Sequence, residues 1–335
     1  MRILLTGGCG FIGSHTALAL LDAGHEPILL DNFSNCRRSL PNRLAAITGR
    51  PLTVIDADVR DIGRVRGALE SERVDAVIHL AGLKAVAESV ARPLTYYAHN
   101  VGGLLALLEA MQAAEVFSIV FSSSATVYGE ADALPIDETC PVNPLNPYGR
   151  GKLICEDMLS DLARGDQPWH VSILRYFNPV GADPSGLIGE EPTGAPNNLM
   201  PLLIQAASGA MTPLPIYGTD YPTADGTAVR DYIHVADLAE GHVAALDALA
   251  RGERFGVYNL GTGRGTSVRQ LIQAFQMATG VDVPHVTSKR RPGDVAELYA
   301  STEKASRDLG WSAKRGLAEM CSDSWRFATR DGERA

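Results

Sequence analysis

Short apolar runs alternate with amphipathic stretches along the first half of the chain. The runs, rich in Ile, Leu and Val, predict buried strands at residues 2–6, 26–31, 52–56, 76–80, 118–122 and 170–176. Between them, apolar positions recur at helical spacing at 14–23, 62–71 and 102–114. Repeated strand–helix units of this kind predict an α/β fold with a doubly wound parallel sheet, in which ligands bind at the carboxyl ends of the strands.

The amino-acid composition changes after Arg175. Residues 178–226 are rich in Pro, Gly and Asn. A segment of this length is too long to be a simple connection between two elements. We therefore predict two domains: residues 1–176 form the parallel sheet domain, and residues 177–335 form a smaller, loop-rich α/β substrate domain. Some C-terminal segments of the second domain can pack back on the first.

A glycine-rich turn follows the first predicted strand, with the sequence TGGCGFIGS at residues 6–14. Gly7 or Gly8 allows a sharp turn there. Gly10 lets the backbone approach a pyrophosphate, and Gly13 lets helix and strand pack closely. The positive end of a helix beginning near Phe11 then faces the phosphates. Strand, glycine turn and helix together predict a Rossmann-like dinucleotide site.

The second predicted strand ends in Asp31, 18 residues beyond Gly13. A carboxylate at this position accepts hydrogen bonds from both hydroxyls of the adenosine ribose and repels a 2′-phosphate. Arg37 and Arg38 lie close by in sequence and would favour NADP. Asp31 at the strand end outweighs them, so the predicted cofactor is NAD.

Tyr148 and Lys152 form a candidate catalytic pair. Asn146 can cap a helix and Pro147 suits its first turn, so the tyrosine and the lysine would lie one turn apart on the same face. Free tyrosine, with a pKa of about 10, is a poor base at neutral pH. A neighbouring ammonium and a positively charged nicotinamide would both lower that pKa. Ser124, at a strand end, could bridge the phenol and a substrate hydroxyl.

The composition excludes several classes of protein. With 45% hydrophobic and 21% charged residues, the 335-residue chain is typical of a soluble globular protein. Its net charge of -9 argues against a nucleic-acid or anionic-membrane partner. No apolar stretch has bilayer length, and the N-terminus runs directly into a strand, so we expect neither a membrane span nor a signal peptide. The five cysteines, without CxxC spacing, are expected as reduced thiols of a cytoplasmic protein, and the histidines show no metal-binding spacing.

Seven motifs along the chain resemble, in order and spacing, the extended short-chain dehydrogenase/reductase family, and within it the UDP-glucose 4-epimerases. They are TGGCGFIGS, HLAG, SSSATVYG, YGRGK, RYFNPVGA, PNNLMP and VRDYIHVADLA. The resemblance covers residues 1 to about 325. It implies an NAD-dependent isomerase that interconverts UDP-glucose and UDP-galactose. The C4 position is oxidised, the 4-keto sugar rotates, and hydride returns to its opposite face.

The resemblance also implies roles for individual residues. Tyr148 would take the proton of the sugar 4-hydroxyl, helped by Ser124, while Lys152 holds the nicotinamide ribose. The implied cofactor-binding residues are Gly7, Gly10, Phe11, Ile12, Gly13, Asp31, Asn32, Asp58, Val59, Leu80, Ala81, Lys84, His99, Tyr148, Lys152 and Phe177. The implied substrate-binding residues are Lys84, Ser124, Tyr148, Asn178, Asn198, Leu199, Tyr217, Arg230, Arg291, Asp294 and Leu298.

Leu298 occupies the position that, in the resembling family, borders the C2 substituent of the sugar, where a tyrosine excludes an N-acetyl group and a cysteine admits it. A homodimer is expected from the apolar circumference of helix 102–114, with Leu104, Leu105, Leu107, Leu108 and Met111, and from the helix after Tyr148, with Leu153, Ile154, Met158 and Leu159.

The sequence departs from the family pattern at His99, Gly102 and Gly151, where polar residues are usual. Gly149 and Gly151 within one helical turn each cost about 1 kcal/mol of helix propensity. Glu190 and Glu191 fall in a loop and are expected to be solvated, and Gly261–Gly265 is interpreted as a structural turn.

The residues argue against two alternative functions and leave a third open. A nucleotide-sugar 4,6-dehydratase or decarboxylase would place an acid beside Ser124, but Ala125 and Thr126 follow it. A cofactor-sensing binding module would be expected to lack the Tyr148–Lys152 pair. A 4-epimerase of UDP-N-acetylhexosamines or UDP-pentoses is the closest alternative.

Overall fold

A computed structural model of the chain describes residues 1–331 except 132, 192, 193, 195, 197, 212, 292 and 293. The strands are β1 Arg2–Thr6, β2 Glu26–Asp31, β3 Thr53–Asp56, β4 Ala76–His79, β5 Ser118–Ser124, β6 His170–Tyr176, β7 Asn178–Val180, β8 Leu214–Tyr217, β9 Val229–Arg230, β10 Tyr232–His234, β11 Phe255–Leu260, β12 Thr266–Ser267, β13 His285–Ser288 and β14 Glu297–Leu298. The α-helices are α1 Phe11–Asp22, α2 Leu40–Thr48, α3 Ile62–Ser71, α4 Val86–Ala91, α5 Pro93–Tyr96, α6 Gly102–Ala113, α7 Pro147–Arg164, α8 Leu199–Ala207, α9 Val235–Ala250, α10 Val268–Thr279 and α11 Leu317–Asp331. Two π-helical turns cover Tyr97–Val101 and Ala305–Leu309, and a 3₁₀ turn covers Ala125–Val127.

Within the described part of the chain, seven parallel strands form one sheet in the order β11-β6-β5-β4-β1-β2-β3. The six predicted strands are all present, with ends that differ by at most two residues. The largest difference is in β5, which continues to Ser124 because its last residues still pair with Arg175 and Tyr176 of β6. β4, by contrast, ends at His79, one residue before the predicted end.

Helices cover both faces of this sheet, as a doubly wound fold requires. One face buries a core shared by α1, α2 and α9, which includes Leu20, Leu44 and Leu246. The opposite face buries a core shared by α3, α6 and α7, which includes Leu107 and Leu159. The predicted doubly wound α/β fold is therefore confirmed.

The second half of the chain builds small sheets above the carboxyl ends of the large one. β7 pairs with β10, β8 with β13, and β9 lies between β12 and β14. β11 and α9 come from this half but belong to the large sheet and its cover, so the chain crosses between the two units more than once. The division at residue 176 stays a prediction. No helix of the described residues is both long and apolar enough to cross a membrane.

Candidate active site

The glycine turn after β1 packs so closely against neighbouring backbone that it leaves no room for side chains at Gly7 and Gly13. Gly7 has φ +69°, which resolves the choice between Gly7 and Gly8 as the sharply turning residue. A Cβ at Gly7 would lie 2.8 Å from the Ala81 nitrogen, and one at Gly13 only 2.3 Å from the Gly7 oxygen. α1 begins at Phe11 after Gly10, whose lack of a side chain leaves the helix N-terminus without a side-chain cap. This geometry fits a dinucleotide pyrophosphate at the positive helix end.

Asp31 lies at the carboxyl end of β2, beside this turn. One of its oxygens accepts a hydrogen bond from the Cys9 amide at 3.0 Å, and the other accepts one from the Phe33 amide at 2.9 Å. The two nearby arginines have acidic partners of their own: Arg37 pairs with Glu191 and Arg38 pairs with Asp56. The carboxylate is thus fixed where an adenosine ribose would lie, as NAD binding requires.

The other predicted cofactor residues gather at the same edge of the sheet. Asn32 follows β2 and donates a hydrogen bond to Asp58, which follows β3, at 2.9 Å. Hydrogen bonds from Arg60 hold the pKa of the Asp58 carboxyl well below its usual range. Val59 follows Asp58 in the chain and packs against the core that α3, α6 and α7 share. Leu80 and Ala81 follow β4, and the Ala81 amide donates to the Thr6 hydroxyl at 3.4 Å.

The loop after β4 is held by Asn100, a residue that the sequence analysis did not single out. Its amide side chain accepts from the Leu83 nitrogen at 2.8 Å and donates to the Leu83 oxygen at 2.9 Å. His99, the predicted cofactor residue beside it, donates from Nδ1 to the Thr95 oxygen at 2.8 Å. Both lie in the π-helical turn Tyr97–Val101, and Asn100 ties this turn to the loop that carries Lys84.

The structure brings Tyr148, Lys152 and Ser124 together at the carboxyl end of β5. Asn146 caps α7 by accepting from the Gly149 amide at 2.9 Å, as predicted. Lys152 is buried and donates to the Ser122 oxygen at 2.6 Å, with its Nζ 6.0 Å from the centroid of the Tyr148 ring. The Ser124 hydroxyl accepts from the Thr126 amide and interacts with the Tyr148 side chain.

Burial determines the acidity of both members of the pair. It raises the pKa of the Tyr148 phenol to about 12, although the hydrogen bond with Ser124 acts in the opposite direction. It lowers the pKa of Lys152 to about 8, against the attraction of Cys155 and Glu156. The sequence led us to expect a lowered phenol pKa. In this structure the lysine alone does not produce one, because burial disfavours the phenolate more than Lys152 at this distance stabilises it.

A buried ion pair between Glu156 and Arg175 stabilises this arrangement. Glu156, two turns after Tyr148 on α7, accepts from the Ser123 hydroxyl and from Arg175 of β6 at 2.6 Å. Arg175 in turn donates to the Tyr128 hydroxyl at 3.1 Å. Sequence reasoning missed this network because its hydrogen-bonded partners are 19 or more residues apart in the chain.

Four of the predicted substrate residues form a second cluster. The Arg291 guanidinium lies 4.8 Å from the centroid of the Tyr217 ring and donates to Asp294 at 3.0 Å. Arg230 of β9 is 4.0 Å from the other oxygen of Asp294 and pairs in register with Leu298 of β14. Two cations, a carboxylate and a partly buried aromatic ring match the groups that recognise a nucleoside diphosphate. Pro292 and Gly293 lie outside the described residues.

The remaining predicted substrate residues follow β6, lie on β14 or begin α8, and Phe177, next to Asn178 in the chain, belongs to the predicted cofactor set. Phe177 and Asn178 follow β6, and Leu298 packs in the same apolar cluster as Phe177. Asn198 and Leu199 begin α8, where Asn198 donates to Glu190 at 2.8 Å. The Gly261–Gly265 segment wraps the buried Asp231, which accepts from the Thr262 and Gly263 amides, in keeping with a structural turn.

Comparisons with known proteins show the family to which this chain belongs. Residues 3–261 match the NAD dependent epimerase/dehydratase family. The UDP-glucose 4-epimerase of Bacillus subtilis (strain 168) is 53% identical over 327 residues, which are 98% of this chain and 96% of that protein.

Solved structures resemble this chain in both sequence and fold. That of UDP-glucose 4-epimerase from Stenotrophomonas maltophila, with bound NAD and formylated UDP-arabinopyranose, is 47% identical and has a TM-score of 0.98 with full coverage of both chains. That of the Bifidobacterium longum enzyme, in complex with NAD+ and UDP, is 46% identical with a TM-score of 0.95 and 99% coverage of both chains. The chain therefore belongs to the NAD dependent epimerase/dehydratase family and, within it, to the UDP-glucose 4-epimerases.

Proposed function

We propose that this protein is an isomerase that interconverts UDP-glucose and UDP-galactose with NAD as its bound cofactor. The observation that carries the proposal is the position of Tyr148, Lys152 and Ser124 at the same sheet edge as the glycine turn. A proton acceptor and a dinucleotide site then serve the same substrate carbon. The second cluster, around Asp294, provides the binding site for the rest of the sugar nucleotide.

The chemistry divides between cofactor and protein. NAD, when bound, accepts the hydride from C4 of the hexose and returns it. Tyr148 takes the proton of the 4-hydroxyl, so that a C–H and an O–H bond are broken and a carbonyl forms. Ser124 holds the same oxygen by a hydrogen bond, and Lys152 adds a positive charge that favours the phenolate. Return of the hydride to the opposite face of C4, and of the proton to the C4 oxygen, inverts C4 with no net oxidation.

Inversion requires a mobile sugar on a fixed anchor. Arg230 and Arg291 bind the diphosphate, Tyr217 stacks near the uracil, and Asp294 accepts from the uridine ribose. The binding free energy thus lies in the part of the substrate that does not react, which leaves the 4-keto sugar free to turn about its diphosphate link. Asn178 and Asn198 meet the sugar and phosphates in either orientation.

A pentose substrate has support of its own. The Stenotrophomonas maltophila epimerase was solved with a formylated UDP-arabinopyranose, a pentose derivative. A site of this fold therefore accommodates a sugar without the C6 hydroxymethyl group. UDP-pentose epimerisation is our second candidate function for this chain.

The test is an incubation of purified protein with UDP-galactose, UDP-N-acetylgalactosamine and a UDP-pentose, without added reductant. The products are separated by chromatography, and bound NAD is quantified after denaturation. We expect UDP-glucose from UDP-galactose and about one NAD per chain. Bound NAD without C4 inversion of any of the three sugars would rule out the proposal.

A homodimer working in the cytoplasm completes the proposed function. The supporting features are a set of exposed apolar side chains on α4 to α7, considered in the Discussion, and the free thiols expected of a reducing compartment. Cell fractionation that finds the activity outside the cytosol would contradict the location.

A further inference from the structure

Glu190 and Glu191 are two consecutive acids in the second half of the chain, and both contact the NAD-binding half. We call them the acidic pair. The segment before them is fixed by packing: Ala182 bridges Gly189, and the side chain of Ile188 is fully buried in the core that α1 shares. Ile12, at the start of α1, packs against the same core. The segment that leads into the acidic pair is therefore anchored in the core that α1 shares.

Glu190 joins one residue of the predicted cofactor site to one of the predicted substrate site. Its Oε1 accepts from the Lys84 ammonium at 2.8 Å and from the Asn198 amide at 2.8 Å. The Glu190 side chain is only 11% exposed, whereas the side chain of Lys84 is 52% exposed. The lysine ammonium has three donors, and two of them stay available for a phosphate.

Glu191 contacts the other side of the cofactor site. Its carboxylate pairs with Arg37 and with Arg43, the latter at 3.0 Å. Arg37 lies in the loop after Asp31, and Arg43 is on α2 with a side chain only 15% exposed. These are the elements that border the predicted adenosine site.

The two sets of contacts lie on opposite sides of the glycine turn. Lys84 follows β4 and Arg37 follows β2, and β1 lies between these two strands in the sheet. Strands two positions apart are about 10 Å from each other, whereas consecutive Cα atoms are about 3.8 Å apart. From these contacts and the strand order we infer that the acidic pair crosses the carboxyl end of β1, with one carboxylate bound on each side.

We propose that Glu190 and Glu191 are positioning residues that close the groove over the dinucleotide and retain NAD between turnovers, an inference that rests on the proposed function. The acids do not contact the pyrophosphate, which they would repel. They act through Lys84, Arg37 and Arg43, and so tie the substrate half of the chain across the cofactor. Retention serves this reaction because the hydride removed from a sugar returns to that same sugar.

The test compares NAD release from the wild-type enzyme with that from the double variant Glu190→Gln/Glu191→Gln. Glutamine keeps the side-chain volume and removes the charge. Exchange of bound NAD against isotope-labelled NAD gives the release rate, and NAD content after gel filtration gives the fraction retained. We expect release at least about tenfold faster in the double variant, which corresponds to about 1.4 kcal/mol. Added NAD should then raise its turnover.

Glu26→Gln is the matched control. Glu26 pairs with Arg50 at 2.8 Å at the amino end of β2, far from the glycine turn, and its loss should leave NAD exchange unchanged. Arg37→Gln/Arg43→Gln removes the Glu191 contacts from the opposite side and should also accelerate release.

The outcomes separate this inference from the function. Wild-type exchange rates in both double variants, or lost activity that excess NAD does not restore, would show that the acidic pair has no retaining role. A wild-type protein that binds no NAD or does not epimerise would overturn the proposed function instead.

Discussion

Tyr148 holds its proton more firmly than a free tyrosine, because burial raises the pKa of its phenol to about 12. Lys152 responds to the same burial in the opposite sense, with a pKa of about 8. The phenol therefore needs a further positive charge before it can act as a base near neutral pH. Oxidised nicotinamide supplies such a charge when NAD is bound, so we expect Tyr148 to become a competent base only in the NAD-loaded enzyme.

Replacing Tyr148 with phenylalanine should separate chemistry from binding. The change removes the proton acceptor but keeps the ring, so turnover of UDP-galactose should fall by about 10²–10⁴-fold. NAD content, measured on the denatured protein, should stay at the wild-type level. Turnover close to that of the wild type would assign the proton transfer to another group, such as Ser124.

Leu298 is the residue at which we expect sugar choice to be decided. It is 9% exposed and packs in the cluster that contains Phe177. A single apolar group discriminates by only about 1–3 kcal/mol, so UDP-galactose should be preferred while UDP-N-acetylgalactosamine is turned over weakly. Leu298→Cys should narrow the ratio of the two kcat/KM values, and Leu298→Tyr should widen it. If neither variant changes the ratio, Leu298 does not border the C2 substituent.

At the scale of the element, α7 shows why two glycines in one helical turn are not equivalent. A Cβ at Gly149 would lie 2.8 Å from the Thr126 backbone oxygen, next to the 3₁₀ turn that follows Ser124. A Cβ at Gly151 would meet its nearest neighbours, side chains of the π-helical turn, at an ordinary 3.8 Å. The first glycine permits close packing of the catalytic helix, and the second does not serve that purpose.

We therefore expect opposite effects from two alanine substitutions. Gly151→Ala should raise the free energy of unfolding by up to about 1 kcal/mol through helix propensity. Gly149→Ala should lower it by about 1–3 kcal/mol through overpacking, and should lower turnover because α7 moves away from Ser124. Urea unfolding of both variants measures the two changes. Equal effects at the two positions would mean that contact with the 3₁₀ turn does not constrain α7.

At the scale of the whole molecule, the structure changes the basis for a homodimer. Four of the five apolar residues expected on α6 are buried in the core of the chain itself, between the sheet and α3, and only Leu105 is exposed. The premise that α6 has surplus apolar surface was therefore wrong. Exposed apolar side chains instead lie on α4 to α7: Val90 (62%), Leu94 (82%), Leu105 (49%) and Ile154 (37%).

Leu94→Glu should disrupt the dimer if this face forms it. Burying a new carboxylate in an apolar contact is strongly unfavourable, so the variant should sediment as one chain of 35.7 kDa where the wild type sediments at twice that mass. Met277→Glu is the control, because Met277 is 78% exposed on α10, away from this face. A wild-type protein that is monomeric at micromolar concentration would contradict the dimer.

Tertiary structure decided which distant residues meet. Glu190 was expected to be solvated, yet it bonds to Lys84, 106 residues away. The network behind Tyr148 and the entry of β11 into the large sheet are also long-range features. The raised pKa of Tyr148 has the same origin, because burial is the sum of contacts made by many segments.

The sequence by itself determined the features that local patterns encode. Apolar runs placed six of the seven strands of the large sheet to within two residues, and the glycine turn identified a dinucleotide site, because strand burial and positive φ leave a direct trace in residue type. The cap at Asn146 and the spacing of Tyr148 and Lys152 were equally local. Burial, pKa and long-range ion pairs leave no such trace, since each depends on residues far apart in the chain, and only the folded structure determined them.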